Sequence, residues 1–144
     1  MKKLFAGLIV AALLIGVLLL SLPAILHKWG LHPEYLGPTL TLPGKRALII
    51  TTSHGVLAAP GETEGAATGV FGSEMTHPYY TFLDGGMAVD IASIEGGEIP
   101  IDPSSFYFMI KTPEDERYLN DPIAQAKVKN SIPIADVDVE QYDV

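Results

Sequence analysis

Cysteine is absent from all 144 residues of the sequence. This excludes disulfide bonds, thiolate nucleophiles and cysteine-ligated metals within the chain. Basic residues are also scarce, since nine Lys and Arg face 17 Asp and Glu, which gives a formal net charge of −8. Nucleic-acid phosphates are held by Lys and Arg, and the sequence has no basic run. The composition therefore argues against nucleic acid as a partner.

The charge is distributed unevenly along the chain. Residues 4–26 hold 19 apolar residues and no charged one, whereas every acidic residue lies at or beyond Glu34. Residues 31–144 carry all 17 acids and six bases, a net charge of −11. The chain thus consists of an apolar leader followed by an acidic, water-soluble part.

The leader has the length of a membrane span. Its 23 uncharged residues, at about 1.5 Å each, reach across a hydrocarbon core of about 30 Å. A cleaved signal has a shorter apolar region, of about 7–15 residues, and a small-x-small cleavage site. Here the only candidate site contains Leu22 and Pro23. Residues 1–30 are therefore interpreted as a transmembrane anchor, with secretion after signal cleavage as the alternative.

The flanking charges predict the orientation of this anchor. Two lysines and the amino terminus precede residues 4–26, and Lys28 alone follows closely. Because cationic flanks prefer the cytoplasmic side, we expect a single-pass membrane protein with its acidic domain on the non-cytoplasmic side.

Beyond the leader, residues 31–44 contain three prolines and two glycines without periodicity, which predicts a linker. Residues 47–52 form an apolar run, and such a run predicts a strand covered on both faces. A helical pattern over residues 69–83, interrupted by Pro78, ends at two glycines, and residues 87–93 predict a second strand. The order strand, helix, strand indicates a βαβ unit.

Two further segments predict the rest of the domain. Residues 115–119 suit a helical turn, and Asp121 followed by Pro122 is typical of a helix start. Residues 142–144 look like the entry to a third strand. The predicted fold class is α/β, with a partial parallel sheet in the order β-α-β-α-β preceded by one transmembrane helix.

Four ordered motifs then suggest a family. Residues 45–50, 68–79, 86–93 and 100–103 together resemble the ThiJ/PfpI family of the class I glutamine-amidotransferase-like superfamily, in the branch with chaperone and glyoxalase III-type members. The resemblance covers residues 45–144. It implies a flavodoxin-like sandwich, often dimeric, whose active site combines a Glu on the first helix, a Cys at a sharp strand-to-helix turn, and usually a His.

Only the acid of that site is carried over by the resemblance. Glu74 occupies the glutamate position of the pattern Gly-Val-Phe-x-x-Glu-x-x-His-Pro. In such a site the carboxyl group lies beside the thiol and shares a proton with it. The nucleophile would follow a third strand and a glycine pair, beyond Val144. We therefore expect a truncated or split, membrane-anchored member, inactive alone, completed by a complementary chain or a homodimer.

Two other functions stay open on the sequence. The first is an export-side chaperone-like or protein-binding module that uses apolar surface. The second is a thiol-independent glyoxalase-like or hydrolase-like enzyme using Glu74 with His54 or His77.

Other chemical groups lack the spacing of a site. The four histidines, His27, His32, His54 and His77, show no metal-ligand spacing, so no metal is expected. Residues 65–69 lack the ending of a phosphate loop and residues 51–55 lack the first glycine of a hydrolase elbow, so no cofactor is expected. The acidic run 114–116 is interpreted as a solvated face, and the aromatic run 106–108 as core or interface.

Overall fold

The computed structural model describes residues 2–29 and 36–144. They fall into two compact units, one ending at Leu36 and the other running from Gly37 to Val144. In the first unit, helix α1 spans Lys2–Lys28, and its segment Lys3–Leu26 is long and apolar enough to cross a membrane. The helix of the leader is confirmed. A signal sequence has the same features, so its place in a membrane stays a prediction.

A parallel sheet organises the second unit. Strand β1 (Arg46–Thr51) pairs in parallel with β4 (Ala88–Ser93), and β4 pairs in parallel with the short β5 (Ile132–Pro133), which gives the order β1-β4-β5. Between β1 and the first helix of this unit lies a small antiparallel hairpin, β2 (Val56–Leu57) with β3 (Ala66–Ala67).

Three helices accompany the sheet. Helix α2 (Gly72–Asp84) connects β1 to β4, which confirms the predicted βαβ unit, and it continues through Pro78 without restarting. Helices α3 (Pro113–Leu119) and α4 (Pro122–Lys129) follow. Asp121 caps α4 as predicted, because its side chain accepts the backbone N–H groups of the second and third residues of that helix.

The glycine stop after α2 has a physical cause. Gly86 adopts φ 82°, a left-handed conformation that glycine takes without steric cost. Its N–H donates to the carbonyl of Leu83, and the N–H of Met87 donates to Phe82, both at 3.0 Å. This pair of bonds satisfies the last carbonyls of α2 and turns the chain into β4.

The third strand differs from the prediction. The sheet acquires its third strand from residues 132 and 133, not from residues 142–144. The last residues lie instead along the other edge of β1, where Asp143 donates its N–H to Arg46 at 2.8 Å and Leu48 donates to Val144 at 2.9 Å. The predicted order is therefore only partly present among the described residues.

The core lies on one face of the sheet. Ala47 and Ile49 of β1 and Val89 and Ile91 of β4 are buried against the helices. On the other face the side chain of Ile50 is 55% exposed. The prediction that β1 is covered on both faces is therefore wrong at Ile50, since the sequence run does not say what packs on each face.

Candidate active site

Glu74 lies in the first turn of α2. The connection from the end of β1 leads into this helix, so its first turn lies towards the carboxyl edge of the parallel strands, where open α/β sheets bind ligands. The side chain of Glu74 is exposed. A carboxylate in the first turn also interacts favourably with the positive end of the helix dipole. The position suits a group that meets a ligand or a second catalytic group.

Buried partners fix the helical turn that carries Glu74. The N–H of Gly72 donates to Oγ of Ser105 at 2.8 Å, and Oγ1 of Thr76 donates to Oδ1 of Asp115 at 2.7 Å. Ser105 and Asp115 are both fully buried. The residues two positions before and two positions after Glu74 are therefore held from the protein interior.

The start of α2 also depends on close backbone packing. A Cβ atom on Gly69 would lie 2.0 Å from the carbonyl oxygen of Pro100, so only glycine fits there. The approach is stabilised by a hydrogen bond from Val70 N–H to Pro100 at 2.9 Å and one from Asp102 N–H to Val70 at 3.0 Å. The segment before α2 is thereby joined to the motif at residues 100–103.

Asp102 shapes the turn that presents Ser105. Its carboxylate accepts the N–H of Ser104 at 2.9 Å, the hydroxyl of Ser104 at 2.6 Å and the hydroxyl of Thr68 at 3.1 Å. The hydrogen bonds from Ser104, followed by that from Thr68, lower the pKa of Asp102. The aspartate caps the 3₁₀ turn Pro103–Phe106, which places Ser105 against α2.

The predicted histidine partners of Glu74 lie in different surroundings. His54 is exposed in the loop after β1. Nε2 of His77 lies 3.0 Å from Oε2 of Glu114. This nitrogen is shielded from solvent, and its contact with Glu114 does not have the geometry of a hydrogen bond. His77 therefore contacts the first turn of α3. The side chain of His27 and the whole of His32 lie outside the described residues.

The acidic run 114–116 is only partly a solvated face. Glu116 is exposed and pairs with Lys111, as a solvated face requires. Asp115 instead is fully buried, and its carboxyl group accepts hydrogen bonds from the hydroxyl of Thr76 and from the N–H of Thr112. The prediction of a solvated face is wrong for Asp115. The only sequence signal was the spacing Thr112-x-x-Asp115, which forms a capping box for α3.

The aromatic run at residues 106–108 divides between the interior and the surface. Phe106 packs against the core and stacks on Tyr118, with ring centroids 6.2 Å apart. Tyr107 and Phe108 are exposed.

A cleft of about 490 Å³ lies at the amino end of β4, away from Glu74's edge of the sheet. Its cations are already paired, because Arg46 and Lys127 contact Asp90 at 2.7 and 3.0 Å. Burial raises the pKa of Asp90, but hydrogen bonds from Arg46, Lys127 and Tyr142 outweigh it and leave that pKa lowered. We interpret this network as structural.

Within residues 2–29 and 36–144, no cluster of three or more acidic or histidine side chains is arranged to hold a metal ion.

Comparison with solved structures supports a ThiJ/PfpI-like fold over part of the chain. The chain is similar to Rapid Encystment Protein 24 kDa (REP24) of Francisella tularensis, with 39% sequence identity and a TM-score of 0.59. It is also similar to glyoxalase III of Candida albicans, with 26% identity and a TM-score of 0.56. Each match covers 69% of this chain but only 41% of the other. No family model and no curated protein matches the sequence.

Proposed function

We propose that residues 45–144 are the acid-bearing part of a ThiJ/PfpI-like, flavodoxin-like domain, tethered to a membrane by α1 and inactive by itself. The observation that carries this proposal is the placement of Glu74, exposed on a helical turn whose opposite side is bonded to buried Ser105 and Asp115. General acid/base work requires such a carboxyl group to be accessible and fixed in direction.

The nucleophile of such a site must come from other residues. A ThiJ/PfpI-like reaction uses a thiolate, and the 144 residues contain no cysteine. The solved structures that the chain resembles are longer, since it spans 41% of each. We propose that elements equivalent to their remaining part complete the domain, either in the same gene product or in a second chain. Reading the coding sequence downstream for a strand, a glycine pair and a Cys-containing turn distinguishes these sources.

An open apolar surface supports this completion. A groove of about 260 Å³ runs beside the uncovered face of β1. It is lined by Leu48, Ile50, Val139, Tyr142, Asp143 and Val144. Exposed apolar surface of this kind is typical of a site covered by further structure.

A charge placed on this face is expected to block completion. The test partner is the part of REP24 that the chain does not cover, mixed with the full chain in detergent. Ile50→Lys should weaken this association at least about tenfold, because the lysine must be desolvated in the interface. Its effect on the stability of the chain itself should stay within about 0.5 kcal/mol, since the side chain is already half exposed. Light scattering coupled to size exclusion measures the complex.

The matched control is Ile123→Lys on α4, where the native side chain is 68% exposed. This variant should associate like the wild type. Equal association of both variants, or no association of the wild type, would contradict docking of the completing segment in the groove beside β1.

The membrane topology has a direct test, because the chain contains no cysteine of its own. A single cysteine introduced as Asp136→Cys, at an exposed position, should react with a membrane-impermeant maleimide in intact cells. The unsubstituted chain serves as the blank. Labelling that occurs only after lysis would place the domain in the cytoplasm, and recovery in the soluble fraction would favour a cleaved leader.

A protein-binding module is the second candidate, favoured by the exposed side chains of Tyr107 and Phe108, at 61% and 63%. A chaperone-like chain would suppress aggregation of an unfolded test protein without any complementary segment. The thiol-independent enzyme has less support, because His77 contacts Glu114.

A further inference from the structure

We infer that Ser105 is a positioning residue for Glu74, acting as the amino-terminal cap of α2 from a distant part of the chain. The functional half of this inference rests on the proposed role of Glu74. The structural part, that Ser105 caps α2, depends only on the contacts of the described residues.

Helix α2 lacks a cap from its own sequence. The first N–H groups of a helix have no partner within the helix, and a Ser, Thr, Asp or Asn directly before it normally accepts one of them. Phe71 occupies that position in α2 and offers no side-chain acceptor. The N–H of Gly72 donates instead to Oγ of Ser105, 33 residues further along the chain. The hydroxyl of Ser105 therefore replaces the missing cap.

The contact lies in a closely packed part of the interior. Gly72 and Ser105 are both buried. A Cβ atom on Gly72 would lie 3.0 Å from both Cβ of Ser105 and Oδ1 of Asp115. The backbone of Ser105 is itself fixed, because its N–H donates to the carbonyl of Asp102 at 3.0 Å. The acceptor is thus positioned at the start of the helix by its own backbone hydrogen bond.

The geometry of a helix links this contact to Glu74. Successive residues are rotated by about 100°, so a residue two positions from a buried one points to the opposite side. Glu74 lies two positions after Gly72 and two before Thr76, which is bonded to Asp115. The carboxyl group of Glu74 therefore points away from the interior, on a helical turn that is hydrogen-bonded to buried residues at Gly72 and at Thr76.

The expected consequence is catalytic. A general acid must lie within hydrogen-bond distance of its partner, and displacement of a catalytic group by about 1 Å costs up to about 100-fold in rate. Loss of the Ser105 cap loosens the first turn of α2 and moves Glu74 relative to a thiol supplied by the completing segment.

Amide hydrogen exchange on the full chain in detergent micelles tests the cap without any assay of activity. In Ser105→Ala, exchange at Gly72 and Glu74 should accelerate at least about tenfold, while the core amides of Ile49 and Ile91 keep their rates. The matched control is Thr81→Ala, at an exposed position of the same helix. This substitution removes an exposed hydroxyl from α2 and leaves the hydrogen bond from Gly72 to Ser105 in place. Unchanged exchange at Gly72, or equal acceleration at Ile91, would overturn the cap.

A kinetic measurement tests the positioning. In an active assembly of the full chain with a thiol-bearing segment, Ser105→Ala should lower kcat about tenfold and leave KM unchanged, whereas Thr81→Ala keeps both. Full kcat in Ser105→Ala would overturn the positioning role. A wild-type assembly without turnover would instead contradict the proposed function, and the exchange data would still decide whether Ser105 caps α2.

Discussion

Replacement of Asp115 by alanine is expected to lower the free energy of unfolding by about 3 kcal/mol, since each buried hydrogen-bond donor left without a partner costs about 1–3 kcal/mol. Asp115 is fully buried and accepts two hydrogen bonds, from Thr76 at 2.7 Å and from the N–H of Thr112 at 3.0 Å. Alanine would leave both donors buried without a partner. It would also remove the capping box of α3.

Urea unfolding of the full chain in detergent, followed by the near-ultraviolet circular dichroism of its six tyrosines, measures this loss. The control is Asp136→Ala, because Asp136 is exposed and a surface substitution should change stability by less than about 0.5 kcal/mol. If Asp115→Ala cost no more than Asp136→Ala, the buried contact between α2 and α3 would not hold the helices together.

Glu74→Gln is expected to reduce turnover by at least about 100-fold in an active assembly, because general acid/base catalysis contributes about 10²–10⁴-fold. Glutamine keeps the size and polarity of the side chain but does not exchange a proton. The side chain is exposed, so the variant should fold and associate like the wild type. The assay follows consumption of a small aldehyde as a test substrate, since the proposal names no natural one.

Glu116→Gln is the control for this experiment. Glu116 is an exposed acid on α3 that pairs with Lys111, and exposed ion pairs contribute little to stability. It should therefore keep full turnover. An active assembly that loses nothing on Glu74→Gln would remove Glu74 from the mechanism.

The elements that the sequence predicted are those with local causes. The apolar run of β1 and the glycines after α2 act within a few residues, and so does the Asp121-Pro122 pair before α4. The structure contains each of them close to its predicted place. The family resemblance assigned Glu74 to the first helix of the domain, and the structure has it in the first turn of α2.

The features that the sequence did not predict depend on contacts between distant residues. Ser105 meets Gly72 across 33 residues, and Asp115 meets Thr76 across 39. The spacing Thr112-x-x-Asp115 indicates a helix start, but it does not show that Asp115 is buried against α2. The exposure of Ile50 and the path of residues 143 and 144 along β1 likewise depend on which surfaces the fold leaves uncovered.

The most direct test of the central claim measures the turnover of a small aldehyde, first by the full chain alone and then after addition of the cysteine-bearing remainder of a ThiJ/PfpI-like protein. The proposal predicts no turnover by the chain alone and turnover by the assembly that requires both the added thiol and Glu74. Turnover by the chain alone, abolished by Glu74→Gln, would contradict it and establish a thiol-independent enzyme.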